Sequence, residues 1–298
     1  MKGWTPQAAR YFLTDLILQL CSLIQMAAMF QDKYVFSQLT AFLNRTQFNN
    51  YVRKYDGNRY VKHFTCWNQM LAMMFGQLSN RESLRDLIVA FEAHRAKQYH
   101  LGLGREPIAK TTLATANQNR DYRIFEDFAF YMMKEACEKR TTNILDISGK
   151  KYAFDSTTIP LCLATFPWAK FRSKKGGVKA HVLYDIEAQV PALDVANLYK
   201  KRWLIELFFK WLKQHLKIKK FWGTTENAVR IQISVAIITY SLVAIVQHDM
   251  NLKRSTYEVL QILSISLTDK THLHDLFDKT NFNDVKDLND SLIPGLFD

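Results

Sequence analysis

Glu206 is a lone acid among cations. The stretch YKKRWLIELFFKWLKQHLKIKK, Tyr199 to Lys220, holds that one carboxylate among eight Lys or Arg. A carboxylate so placed suits a metal ligand, held where the surrounding cations receive phosphates. The ordinary alternative is a solvated helix face on which Arg202 and Glu206 pair at i,i+4, worth a few tenths of a kcal/mol. Asp155 poses the same choice. An Asp in Tyr152-Ala153-Phe154-Asp155-Ser156 is commonly a turn or cap residue. Yet the loop that follows carries Lys170, Arg172, Lys174 and Lys175, which suits a metal ligand for phosphodiester chemistry.

The spacing around Glu206 predicts how a helix would present it. At 100° per residue, Tyr199, Arg202, Glu206, Lys210, Lys213 and Lys217 fall within a stripe of about 80°. Leu204, Phe208, Trp211 and Leu212 fill the opposite side, and Trp203 and Phe209 flank the stripe. A polar strip this narrow, walled by large aromatics, faces something specific.

The charge is concentrated in the same region. The chain of 298 residues carries a formal charge of +12. Between Lys151 and Trp222 fourteen Lys or Arg stand against five Asp or Glu, so most of the excess sits in under a quarter of the sequence. That points to a basic face and a polyanionic partner, nucleic acid or an anionic membrane surface. Hydrophobic residues make up 48%, which excludes global disorder. Cys21, Cys66, Cys137 and Cys162 form no CxxC pair. Free thiols in a reducing cytosol are expected rather than a disulfide framework.

Two apolar runs raise the question of a membrane. YFLTDLILQLCSLIQMAAMF follows Lys2 and Arg10 as a leader would, but Asp15, Gln19 and Gln25 interrupt it and no clear cleavage site follows. IQISVAIITYSLVAIV, Ile231 to Val246, is shorter than the roughly 20 residues of a span and reads as a buried helix. A soluble cytoplasmic protein with no membrane partner is expected.

Residues 1–30 stand apart as an amino-terminal extension. VFSQLTAFLNRTQFNNYVRKY predicts two short amphipathic helices and FTCWNQMLAMMFGQLS a buried third. Ser79 to Glu82 has the form of a capping box before LRDLIVAFEAHRAKQY. His100-Leu-Gly-Leu-Gly104 ends that helix, and Thr111 or Thr112 is positioned to cap a long one, LATANQNRDYRIFEDFAFYMMKEAC. The Thr, Asn, Gln and Arg at its start are side chains that reach base edges and phosphates. KKYAFDSTTI and VKAHVLYDI read as strands flanking the basic loop. After Pro191 the pattern turns helical, with a second capping box at Ser255 and Glu258.

These residues together carry a resemblance. AFDSTTIPLCLATFPWAKFRSKKGGVKAHVLYDI resembles the first acidic motif of the insertion-sequence type-4 DDE transposases. Tyr199, Arg202, Glu206 and Lys213 match that group's Y-(2)-R-(3)-E-(6)-K signature, and residues 32–137 resemble its amino-terminal helical domain. The resemblance implies an RNase H-like catalytic domain in which three carboxylates hold two Mg2+ ions for in-line displacement at phosphate. Asp155 would be the first acid and metal ligand, Glu206 the last. Tyr199, Arg202 and Lys213 would position DNA ends, with Lys210, Lys217, Arg172, Lys174 and Lys175 adding backbone contacts.

The family's middle acid lies in an Asp-Arg-Gly-Tyr-like strand motif, and no such motif occurs between Asp155 and Glu206. Only 51 positions separate the two acids, and the basic loop and second strand fill most of them. A further strand, a helix and the strand of the middle acid need roughly 35–40 residues. An internal deletion with its junction near Ala192 is expected. Asp185, Glu187 and Asp194 are weak substitutes: a strand end, a turn and a helix cap. The expected class is therefore α/β and mostly helical. Residues 31–145 would form a helical DNA-binding domain and residues 146–298 a truncated RNase H-like catalytic domain with carboxy-terminal helices. The function expected is that of an insertion-sequence transposase impaired in strand cleavage and transfer. The rivals are a non-catalytic DNA-binding derivative, acting alone or in mixed oligomers with a full-length transposase, and an inert product.

Overall fold

A computed structural model describes residues 32–140, 152–162, 164–172, 175–185, 190–192 and 221–277. The elements in chain order are α1 (Val35–Thr40), α2 (Arg45–Lys54), α3 (Cys66–Leu78), α4 (Leu84–Ala93), α5 (Lys110–Asn119) and α6 (Arg123–Arg140), then strands β1 (Tyr152–Leu161), β2 (Lys170–Arg172), β3 (Lys175–Asp185) and β4 (Val190–Ala192), then α7 (Glu226–Asp249), α8 (Thr256–Ser266) and α9 (Leu273–Phe277).

The helix ends follow local chemistry. Thr65 and Asn68 form a reciprocal capping box at the start of α3, and Ser255 and Glu258 form the expected one at α8. Three helices stop in the same way. Asp56, Asn80 and Asn251 take positive φ of 49°, 55° and 50° just past α2, α3 and α7. In each the next amide reaches back to a carbonyl five residues earlier: Gly57 to Val52, Arg81 to Gly76, Leu252 to Gln247. This is the Schellman ending, and short Asx side chains tolerate its left-handed residue best after glycine.

That ending corrects one expectation. Ser79 is the C-cap of α3, its hydroxyl donating to the Phe75 carbonyl, and not the N-cap of α4. Ser83 caps α4 instead, accepting from the Asp86 amide at 3.1 Å. The long helix expected after Gly104 is also two. The N-cap of α5 is Ala109, with no side-chain cap, and Thr111 and Thr112 lie inside the first turn. Arg120 is extended and breaks the run. Asp121 then accepts from the Arg123 amide at 2.9 Å and starts α6.

One core unites both ends of the described chain. Phe36, Phe48, Met70, Phe75, Leu87 and Phe128 from α1 to α6 pack with Ile238, Leu242, Leu260 and Leu273 from α7 to α9. The long helix α7 lies mainly against α6, with α3, α5 and α8 around it. At 24 residues it is longer than expected and could span a membrane by length and composition, but 83% of its apolar window is buried within the protein. Gly76 in α3 is the point of closest approach, since a Cβ there would meet the tip of the Trp222 indole at 2.5 Å.

The four strands make a small antiparallel sheet. β1 pairs with β3 along its length, and β2 and β4 pair with opposite ends of β3. β2 and β4 break expectation. A three-residue strand lies inside the presumed loop, and another, β4, includes Pro191; the helical pattern expected from there to residue 220 lies outside the described residues. Among the described residues β1 has a partner on one edge only.

Gly76→Ala should destabilise the protein by about 1–2 kcal/mol. Overpacking against a rigid indole costs roughly 1–3 kcal/mol, and alanine's better helix propensity returns up to about 1. A lower urea midpoint with unchanged slope checks this; a midpoint at or above wild type refutes the α3–Trp222 contact.

Candidate functional site

Asp155 lies on a strand as expected, but within β1 rather than near its end. Asp155 stands opposite Val182 of β3, in the middle of the β1–β3 ladder. Arg172 of β2 stands opposite Lys175 of β3, so two cations of the basic loop share one end of the sheet. Tyr199, Arg202, Glu206, Lys210, Lys213 and Lys217 lie outside the described residues, as does Lys174. Among the described residues no three His, Cys, Asp or Glu cluster in a metal-binding arrangement.

A turn beside β2 fastens the sheet to the helices. Phe166 and Ala169 pack on Val229 near the start of α7. The Trp168 indole donates to the Thr224 carbonyl at 2.8 Å, and Phe166 meets Phe221 edge-on, with centroids 6.0 Å apart. The Gly177 amide donates to the Ala169 carbonyl at 2.8 Å, tying β3 to the same turn.

A second site lies on the helical body, in a cleft of about 1160 Å³. One wall is the segment between α2 and α3, with Arg59, Lys62 and His63; the other is Arg105 and the exposed side of α5. Arg120 forms the floor. Its guanidinium donates to Gln69 Oε1 at 2.9 Å and to the Phe64 carbonyl. Burial pulls its pKa below the usual range for arginine. Its backbone carbonyl accepts from Asn227 of α7 at 2.6 Å. The side chain that ends α5 therefore holds the opposite wall in place. Burial also pushes the Cys66 thiol up, beside this floor.

Beside the cleft, Arg123 hydrogen-bonds Asp121 through Nη2 at 2.6 Å and through Nε at 3.0 Å. That contact holds the Asp121 carboxyl below the ordinary range and lifts Arg123. Among the described residues Arg59, Lys62, Arg105 and Lys110 form no ion pair. Asp56 and Glu106 are acids on the lining.

The polar helix start was legible in the sequence; the basic wall opposite was not. Its signal was the spacing of Arg53, Lys54, Arg59, Lys62 and His63 around the turn-forming Asp56-Gly57-Asn58.

Comparison with known proteins follows the division of the chain. Residues 31–104 match the family model of a domain of unknown function, DUF4372, and residues 186–242 match that of the transposase DDE domain. A Sinorhizobium fredii protein described as a transposase, y4zB, is 47% identical over 75 residues, 25% of this chain and 20% of the relative. A Geobacillus stearothermophilus protein, described as the transposase of insertion sequence IS5377, is 47% identical over 51 residues, 17% of this chain and 14% of its own. A Synechocystis protein, described as the transposase of IS4SA, is 52% identical over 46 residues, 15% and 14% respectively. No solved structure matches. Over these segments the chain is similar to the transposases of insertion sequences and to their DDE domain. Its matches span a fifth or less of the length of these curated relatives.

The Asp121–Arg123 contact sets a sign for acid stability. A carboxyl depressed in the folded state stabilises fully above its unfolded pKa, about 3.9, and the contribution is lost as pH falls through the lower folded value. Asp121→Asn should therefore lose stability at neutral pH and show a flatter acid limb. Urea midpoints at about pH 3 and pH 7 test this, and parallel curves would exclude the contact.

Proposed function

We propose that this chain is an insertion-sequence transposase, a DNA-binding protein of transposition and recombination, that has lost the middle acid of its catalytic centre and is impaired in strand cleavage and transfer. The spacing of Asp155 and Glu206 carries the reading: 51 positions leave no room for the strand between them. Among the described residues β1 is paired on one edge only, in keeping with it, because a central strand of an RNase H-like sheet would be flanked on both edges. The DDE-domain match, which begins at residue 186 and includes Glu206 but not Asp155, is in keeping with it.

Mg2+ is the metal the chemistry of the donors favours, since hard cations take carboxylate oxygens. Asp155 and Glu206 would hold it, and it would supply charge neutralisation at phosphate. Two carboxylates are fewer than a two-ion site needs, so no cleavage step is assigned to this chain. Tyr199, Arg202 and Lys213 would hold DNA ends, with Lys210, Lys217, Arg172, Lys174 and Lys175 on the backbone. The segment division at 31–145 and 146–298 belongs to the same proposal, with α7 to α9 docked on the helical body. So does a cytoplasmic location.

A second reading is favoured by one observation. One core joins α1–α6 to α7–α9, which is in keeping with a folded, DNA-binding but non-catalytic protein, able to act alone or in mixed oligomers against a full-length transposase.

The test is a supercoiled plasmid bearing the DNA that flanks this coding segment, incubated with purified protein and Mg2+. No nicking, with retention of the plasmid in a gel shift, is expected. Nicking abolished by Asp155→Ala would overturn the impairment.

A further inference from the structure

We infer that the cleft between residues 55–64 and α5 is a duplex-DNA binding site, formed by residues other than those of the cationic stripe around Glu206. The inference rests on the transposase reading and adds a surface to it. The carrying observation is the face of α5. Thr111, Thr112, Thr115, Gln118 and Asn119 are all exposed, and at 100° per residue they lie within about 120° of one another. Leu113, Ala116 and Asn117 are buried on the other side.

An exposed face that serves only solubility carries charge, as elsewhere in this protein: Arg53 and Lys54 on α2, Lys134 and Glu138 on α6. From Thr111 to Asn119 the helix α5 carries none. Nor was its composition set by helix stability, since three Thr and two Asn among ten residues are poor helix formers. What these side chains share is short, uncharged donors and acceptors, the groups that pair with base edges. With its side chains an α-helix is about 10–12 Å across, which fits a major groove about 12 Å wide.

The flanks supply what a polar face lacks. Arg59, Lys62 and Arg105 stand around α5, and Lys110 opens it. No described carboxylate pairs with them, and cations so placed suit phosphate contacts. Tyr60, 89% exposed, is held out between two lining residues at φ 59°, a left-handed conformation uncommon for a bulky side chain. The Arg59 guanidinium covers its ring at 5.0 Å. Such a tyrosine is placed to lie against a sugar–phosphate backbone. The floor, Arg120, fixes the spacing of the two walls through Phe64, Gln69 and Asn227.

The experiment is fluorescence anisotropy on the full chain with labelled duplexes of about 30 base pairs, three helical turns. One carries the DNA flanking the coding segment, one is scrambled, and an RNA hairpin serves as comparator. Salt is varied from roughly 50 to 200 mM. The variant Arg59→Ala/Lys62→Ala/Arg105→Ala should lower duplex affinity at least about tenfold and reduce the salt slope by about 3. Thr112→Ala/Thr115→Ala/Gln118→Ala should keep the slope and lose preference for the flanking duplex. Thermal melts accompany each variant; where the triple Ala variant melts early, the three charge-removing Gln variants replace it. Wild-type binding that both cleft variants retain, while Arg202→Ala/Lys213→Ala abolishes it, overturns the cleft and leaves the transposase reading standing. Tighter binding to the hairpin than to either duplex overturns the cleft as a DNA site. No duplex binding by wild type at low salt overturns both readings.

Discussion

Everything in the helical body answers to the burial of α7. Sixteen of its residues are buried, and apolar side chains occupy nearly every direction around it. Each Val, Leu or Ile left in water would forfeit about 1.5–3 kcal/mol, so the helix needs a full wrapping. Neither α8 nor α9 is long enough to supply one. The wrapping comes from α3, α5 and α6, more than a hundred residues away in sequence. This couples the first described segment to the last across the sheet-bearing segment between them.

Apolar surfaces alone do not set how such helices are registered, because they slide at little cost. Buried amides do. Gln77 of α3 donates to the Gln232 carbonyl of α7 at 3.2 Å and accepts from Thr239 at 3.2 Å, while Gln232 Oε1 accepts from the Trp222 amide at 2.9 Å. A second chain links Asn117 of α5 to Gln69 of α3 at 2.7 Å, Gln69 to Arg120, and Asn227 of α7 to the carbonyls of both Asn117 and Arg120. Shifting any helix by one residue would orphan several of these groups at about 1–3 kcal/mol each. The orientation of α5, and hence the outward turn of its Thr and Gln face, follows from that network rather than from the helix itself.

The same distinction separates what could be read in the sequence from what could not. The helices α1 to α4, the two long strands, the Ser255 cap and the buried character of Ile231–Val246 follow from periodicity and local turn chemistry. The misplaced cap at Ser79 arose because Ser83 competes a few residues on, and Asn80 decided it by taking the left-handed position. The break at Arg120 was hidden because arginine is a good helix former. Its buried bonds to Phe64 and Gln69 override that propensity, and both partners lie some fifty residues away. Asp155 was legible because a strand needs only its own pattern. The cleft was half legible: the composition of α5 showed, but the cations facing it are brought there by tertiary packing.

How body and sheet are joined bears on what a transposase shortened as proposed would retain. The sheet touches the body chiefly through Phe166, Trp168 and Ala169 against Phe221 to Val229, and through β4 against α6. None of the buried amide network runs through it. On the proposed reading, removing a strand between β4 and the Glu206 helix exposes an edge of β1, which invites pairing with another chain, yet leaves every bond that registers α7 intact. Chemistry and recognition are then lost separately. On that reading the carboxylate cage would fail for want of its middle acid, while the proposed surface of α5 and the 55–64 segment would rest on the helices that bury α7.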